Sequence, residues 1–184
     1  MPFRILSLSE NEEWNSSLKK LPLHQQDIYY TPEYYSLYQN YGDGEAQCFV
    51  FEKDGDIALY PFFLNSVNEL GYYLNDEYYD IQGAYGYNGV VSSTYEEKFI
   101  LEFYKAFQEF VTKKRIIAEF TRFNPVLQNQ EFCKSWLNIE FDRTTVCIDL
   151  TIKHPELFKN YQRTTKKQIK RAKDRYGLTL NVFN

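Results

Sequence analysis

Apolar and polar positions along the chain follow two rhythms, and the changes between them mark the elements. Residues 3–8 alternate with period two and predict a first strand. Residues 10–20 carry Trp14 and Leu18 four apart, a helix limited by Pro22. Thr31-Pro32 is a helix start, a Thr cap with Pro in the first turn, and the helix runs to about Tyr41 before Gly42. Within it Tyr34, Tyr38 and Tyr41 share a face with Leu37. Residues 46–52 and 57–64 then read as two strands, joined through Asp54-Gly55, a strong hairpin signal. Residues 70–74 and 79–82 are shorter, tyrosine-rich extended segments.

The clearest helix opens at Ser93-Thr94, where Glu96 and Glu97 complete a capping box in either register. Phe99, Phe103, Phe107 and Phe110, with Ile100, Tyr104 and Val111, predict one broad buried face. Lys113, Lys114 and Arg115 suit the C-terminal end of the helix dipole. Residues 115–121 then predict a buried strand, 131–137 a short helix and 144–150 another strand. Helices over 155–161 and 165–176 follow, Gly177 stops the second, and 178–183 predicts a last strand. An antiparallel meander followed by a strand–helix–strand crossover makes this an α/β (α+β) chain. It implies a mixed, mostly antiparallel sheet flanked by helices.

Composition adds two facts. Of the 17 tyrosines in 184 residues, 13 lie between Tyr29 and Tyr87. The net charge of −4 conceals a division: residues 1–152 hold 12 Lys and Arg against 23 Asp and Glu, and residues 153–184 hold 9 against 2. This predicts an acidic domain over 1–152 and a basic appendage over 153–184. No apolar run approaches the roughly 20 residues that span a bilayer, and residues 1–10 do not read as a leader, so a cytoplasmic location is expected. Three widely spaced cysteines suggest reduced thiols, with Cys48 and Cys147 as small apolar core residues on strands. Cys133 fits either a buried or an exposed position.

The chemistry is narrowed first by missing motifs. His24 and His154 sit in polar, loop-like contexts, and no nucleophile elbow, phosphate-binding glycine loop or metal-ligand spacing is present. A catalytic chain of this kind works by positioning and polarising its substrates. The stretch from Tyr78 to Gly89 draws attention, because Gly83, Gly86 and Gly89 break a strand into a turn with bare backbone. Tyr85 and Tyr87 flank Gly86 there, and Asp80 stands at its entry. The segment reads either as a polar substrate groove or as an aromatic turn closing a sheet. Tyr29 and Tyr30, just before the Thr31-Pro32 cap, are further candidates for the groove.

Asp80 with Tyr85-Gly86-Tyr87-Asn88-Gly89 resembles the D…(P)YGYxG stretch of Fem-type peptidoglycan-bridge aminoacyltransferases and related GNAT-like acyltransferases. Residues 119–125, with Arg122-Phe123-Asn124-Pro125, are similar to the strand of that family that ends in R-F-x-P. Residues 143–150 and 164–172 are similar to its T-V-x-I-D-L strand and later basic helix. The resemblance runs from Asp27 to Leu180, and Ala84 departs from it where the family often has Pro.

The resemblance implies a GNAT-like first domain, with 153–184 as a basic linker helix and the opening strand of a second domain. It implies transfer of an acyl or aminoacyl group to an amine on a cell-wall or sugar precursor. The donor would be acyl-CoA or aminoacyl-tRNA, and no cofactor would be held tightly. Asp80 would be the base or the carboxylate that orients the amine, and Tyr29, Tyr30, Tyr85, Gly86, Tyr87, Asn88, Gly89, Arg122 and Asn124 would line the acceptor groove. The common acyl-CoA pyrophosphate loop has no counterpart in the sequence. Lys166, Lys167, Lys170 and Arg171 on the basic helix would bind phosphate, of tRNA among other sources, or else lie against the acidic body of the same chain. Two other readings remain: a non-catalytic half-module that acts with a partner domain or in a dimer, and a tRNA- or phosphate-binding protein.

Overall fold

The computed structural model describes residues 3–179. The chain forms two compact units, residues 1–141 and 142–184. The division thus falls at Asp142, ahead of the change of charge at Lys153.

The first unit is a six-stranded sheet with helices on both faces. Its elements are β1 (Phe3–Ser7), α1 (Asn11–Leu18), α2 (Pro32–Tyr41), β2 (Glu45–Lys53), β3 (Asp56–Ser66), β4 (Tyr79–Gln82), β5 (Val91–Ser92), α3 (Glu97–Lys114), β6 (Ile116–Phe120) and α4 (Gln130–Cys133). The sheet order is β1-β2-β3-β4-β6, with β5 on the free stretch of β3. All pairs are antiparallel except β4 with β6, which the α3 crossover makes parallel. The hairpin lies where Asp54-Gly55 placed it: both residues take positive φ, 54° and 91°, as a tight two-residue turn requires.

Burial on both faces explains why β2 and β3 read as almost unbroken apolar runs. Alternate residues go to opposite cores. Phe49, Phe51, Ala58, Tyr60 and Phe62 meet Phe99, Phe103, Phe107 and Phe110 of α3 and Phe132 of α4. Cys48, Val50, Leu59 and Phe63 meet Trp14 and Leu18 of α1 and Tyr35 of α2. The predicted phenylalanine stripe is therefore the buried face of α3, and Phe103 packs edge-on against both Phe49 and Phe132 at ring separations of 5.4 and 5.2 Å.

Several expectations change. The box at Ser93-Thr94 does not form: Ser93 bonds back to Ile57 N–H and Asp56, and α3 starts after Glu96 without a side-chain cap. On α2 the fully buried tyrosine is Tyr35, while Tyr41 and Leu37 face outward. Residues 70–74 form no strand, only a 3-10 turn over Asn68–Leu70. The strand over 115–121 is real but not buried. As the last strand in the sheet order it leaves Ile117 60% and Phe120 62% exposed.

In the second unit, residues 144–150 pair with no strand, so Val146, Ile148 and Leu150 are exposed. Cys147 is exposed for the same reason, against its expected place in a core, whereas Cys48 and Cys133 are buried. The unit's helices are α5 (His154–Asn160) and α6 (Arg163–Tyr176). Gly177 closes α6 in the left-handed conformation. Of the strand expected over 178–183, residues 178–179 are not in one and the rest lies outside the described residues.

One polar cluster interrupts the α3-side core at β6. Tyr60 donates to Glu119 Oε1 at 2.6 Å, and its oxygen lies 2.5 Å from Thr121 Oγ1. Burial raises the Glu119 carboxyl above its ordinary range, against the lowering effect of these two hydroxyls. The folded state thus holds this proton more tightly than the unfolded chain. The associated stability is complete below the ordinary carboxyl range and is lost as pH rises through the folded value. Glu119→Gln keeps an acceptor for Tyr60 and carries no charge. Its stability relative to wild type in urea melts should improve as pH rises above the ordinary carboxyl range; a pH-independent difference would refute the assignment.

Candidate functional site

The turn after β4 is built by packing before it is available to any ligand. Asn88 N–H donates to Arg122 C=O at 2.6 Å, tying the turn to the residue beyond β6. Asn129, fully buried just before α4, donates through Nδ2 to Asn88 C=O (2.9 Å), Val90 C=O (3.2 Å) and Tyr30 Oη (3.1 Å). Its Oδ1 accepts from Asn124 N–H at 2.9 Å. Tyr35 Oη donates to Pro61 C=O and accepts from Ala84 N–H at the other end of the turn. Burial pushes the phenols of Tyr30 and Tyr35 up, which keeps both hydroxyls protonated as donors.

Tyrosines clasp the outer side of the same turn. Tyr34 Oη donates to Tyr85 C=O at 2.7 Å and lies 3.4 Å from Tyr38 Oη. The Tyr29 ring sits edge-on to both Tyr34 and Tyr87, at 5.2 and 5.4 Å. Gly86 is needed here on two counts. Its φ is +107°, and a Cβ would stand 2.4 Å from Tyr29 Cε1. Gly83 is needed for close approach alone, since a Cβ would stand 2.3 Å from Asn88 Cβ.

Between the turn, the residues before β2 and the residues around β6 lies a cavity of about 310 Å³. That is the lower end of the roughly 300–1,000 Å³ typical of small-molecule sites. It is lined by Asp43, Gln82, the turn from Gly83 to Gly86, Asn88, Phe120 and Arg122. Its polar groups are largely unused. Asn88 is 1% exposed, yet its Nδ2 is buried without a hydrogen-bond partner among the described residues. Arg122 lies 6.0 Å over the Phe120 ring and has no ion pair there.

The sequence-predicted residues separate into three groups. Tyr85, Gly86, Asn88 and Arg122 come together at the cavity. Tyr29, Tyr30, Tyr87, Gly89 and Asn124 support it from behind. Tyr30 is wholly buried on Asn88 and Asn129, and Asn124 Oδ1 is occupied by the N–H groups of Val126 and Leu127. Gly89 packs against Asn129 and Phe123. Asp80 lies outside the lining, two residues before Gln82 on the same face of β4, and the carboxylate in the cavity wall is Asp43. Lys166, Lys167, Lys170 and Arg171 belong to α6 of the second unit, where Lys166 Nζ donates to Lys159 C=O and Arg171 to Tyr176 Oη.

Asp43 and Asn129 were missed from sequence. Asp43 had a signal, an acid between two glycines immediately after a helix stop. Asn129 had none beyond its place before a short helix.

Among the described residues no three His, Cys, Asp or Glu side chains form a metal-binding group, and no helix is long and apolar enough to cross a membrane. Comparisons with family models, curated proteins and solved structures give no match for this chain.

Asn129→Ala would strand the Val90 C=O and the Asn124 N–H in the interior and leave the Asn88 C=O with Tyr30 Oη alone. At about 1–3 kcal/mol for each buried group left unmade, we expect a loss of at least about 2 kcal/mol in urea unfolding. Amide exchange over residues 83–90 should accelerate. Wild-type stability and exchange would contradict the anchoring role.

Proposed function

We propose that the chain is an acyltransferase, Fem-related and GNAT-like, which passes an acyl or aminoacyl group to an amine acceptor bound in the turn-83–90 cavity. The observation that carries this reading is the cavity itself. It offers a carboxylate, a guanidinium and bare glycine backbone, and no Ser, Cys or His in its lining. Such a set suits positioning and polarisation rather than covalent catalysis. The order of motifs around Asp80, Tyr85 to Gly89 and Arg122 supports the same class.

The chemistry required is direct. The amine nitrogen bonds to the acyl carbon of an ester or thioester, and the carbon–oxygen or carbon–sulfur bond breaks. The leaving alcohol or thiol takes up the proton that the amine releases. A carboxylate relays that proton: Asp43 in the cavity wall, or Asp80 further along the same face of β4. Arg122 supplies donors to oxygen. Acyl-CoA or aminoacyl-tRNA is the proposed donor, and Lys166, Lys167, Lys170 and Arg171 of α6, a helix that carries few acidic residues, are the proposed phosphate-binding side chains. A cell-wall or sugar precursor is the proposed acceptor.

A second reading, a non-catalytic binding module that acts with a partner domain, draws on the same cavity. The two separate on turnover. Mass spectrometry of mixtures of donors with amine acceptors should reveal an N-acylated product. Arg122→Ala should lower kcat/KM by about a hundredfold. Asp43→Asn and Asp80→Asn identify the proton relay as the variant that lowers kcat while leaving KM near the wild-type value. Absence of product with every donor leaves the binding module as the function.

A further inference from the structure

The cavity wall holds two opposite charges that do not neutralise each other. Asp43 comes from the β2 side, directly after the stop of α2, and Arg122 comes from the β6 side. The sheet order puts β4, with Gln82, between them. Neither forms an ion pair with the other or with any described residue. Asn88 of the same lining is almost fully buried, and its Nδ2 has no hydrogen-bond partner among the described residues.

The geometry points to a small zwitterion as the ligand: a molecule with a carboxylate at Arg122 and an amine at Asp43, as in a free α-amino acid or the amino-carboxylate end of a larger one.

Alternatives satisfy fewer of these groups. A phosphate or a simple acid would answer Arg122 but face the Asp43 carboxylate. A simple amine would answer Asp43 and leave Arg122 unmet. A neutral sugar would leave both charges unmatched. The bidentate fork of Arg122 suits a carboxylate in particular. Exposed Phe120 and Tyr85 at the rim offer ring surfaces for an apolar substituent on the zwitterion.

The specificity stands on the cavity. Its link to catalysis rests on the transfer reading above, in which the amine beside Asp43 is the nucleophile once it has given up its proton.

The test is an NMR titration of the full chain with three probes that share one carbon tail: L-norleucine, pentylamine, which lacks the carboxylate, and hexanoate, which lacks the amine. Norleucine should bind at least about tenfold more tightly than either single-charge probe, a difference of about 1.4 kcal/mol. Its shifts should centre on Asp43, Gln82 and Asn88. Arg122→Gln should reduce norleucine to the affinity of pentylamine, and Asp43→Asn should reduce it to that of hexanoate. Both variants change exposed or half-exposed side chains, and unchanged amide spectra away from the cavity establish that they fold.

Equal affinities for the three probes, no norleucine binding, or shifts centred elsewhere would overturn the inference. Transfer assays separate it from the wider reading. Selective norleucine binding without acylation by any donor sustains the zwitterion site and removes the transferase. Acylation of pentylamine as efficiently as norleucine sustains the transferase and removes the zwitterion site.

Discussion

The carboxamide of Asn129 holds the irregular turn after β4 in place. A turn with three glycines between two strands loses much backbone entropy on ordering and has few apolar side chains to offset it. Asn129 supplies the compensation from across the chain, its Nδ2 protons shared among three acceptors and its Oδ1 accepting a fourth bond in the buried interior. Tyr30 and Tyr35 extend the network to both ends of the turn. Buried polar bonds of this kind strengthen one another when all are made and become costly when one is missing. The backbone of Ala84 and Asn88 at the cavity is tied to that network, and Asn88 N–H ties Arg122 to it in turn.

The two aromatic cores set where such a cavity can form. The middle of the sheet is covered on both faces, and β2 and β3 have no free surface for a ligand. At β4 and β6 the strands are short, β6 is edge-exposed, and the turn leaves the sheet plane. Open backbone and polar side chains therefore collect at this end. The parallel β4–β6 pairing matters too. It brings Arg122, just beyond the C-terminal end of β6, beside the turn that follows the C-terminal end of β4. Ligand sites favour the carboxyl ends of adjacent parallel strands for this reason.

Local signals were legible where the local chain decides the outcome. Asp54-Gly55 can close a hairpin with no help from the rest of the fold, and Thr31-Pro32 with Gly42 bounds α2 by its own hydrogen bonds, Thr31 Oγ1 accepting from Tyr34 N–H. The phenylalanine spacing of α3 likewise leaves one orientation that buries it. The misreadings share a cause. Ser93-Thr94 had the residues of a capping box, but Asp56 and the Ile57 N–H, brought near by the β3–β5 pairing, competed for the Ser93 hydroxyl. Residues 144–150 had the alternation of a strand, yet alternation specifies a face and not a partner. Tyr30 and Asn124 looked like groove residues because a polar tip on a loop has no address until the tertiary partners of that tip are known.

What the sequence determined by itself was the α/β class, the positions of most elements, the acidic and basic division and the turn that matters. Each of these rests on periodicity, glycine and proline geometry or summed charge, all properties of neighbours in the chain. The tertiary structure decided which polar groups of that turn are consumed and which are left over. Asn129 reaches Asn88 across 41 positions, and Asp43 and Arg122 share a wall only because β4 runs between them. A hydrogen bond saturates its partners, so the identity of a free donor such as Asn88 Nδ2 is known only after every other group nearby has found its own.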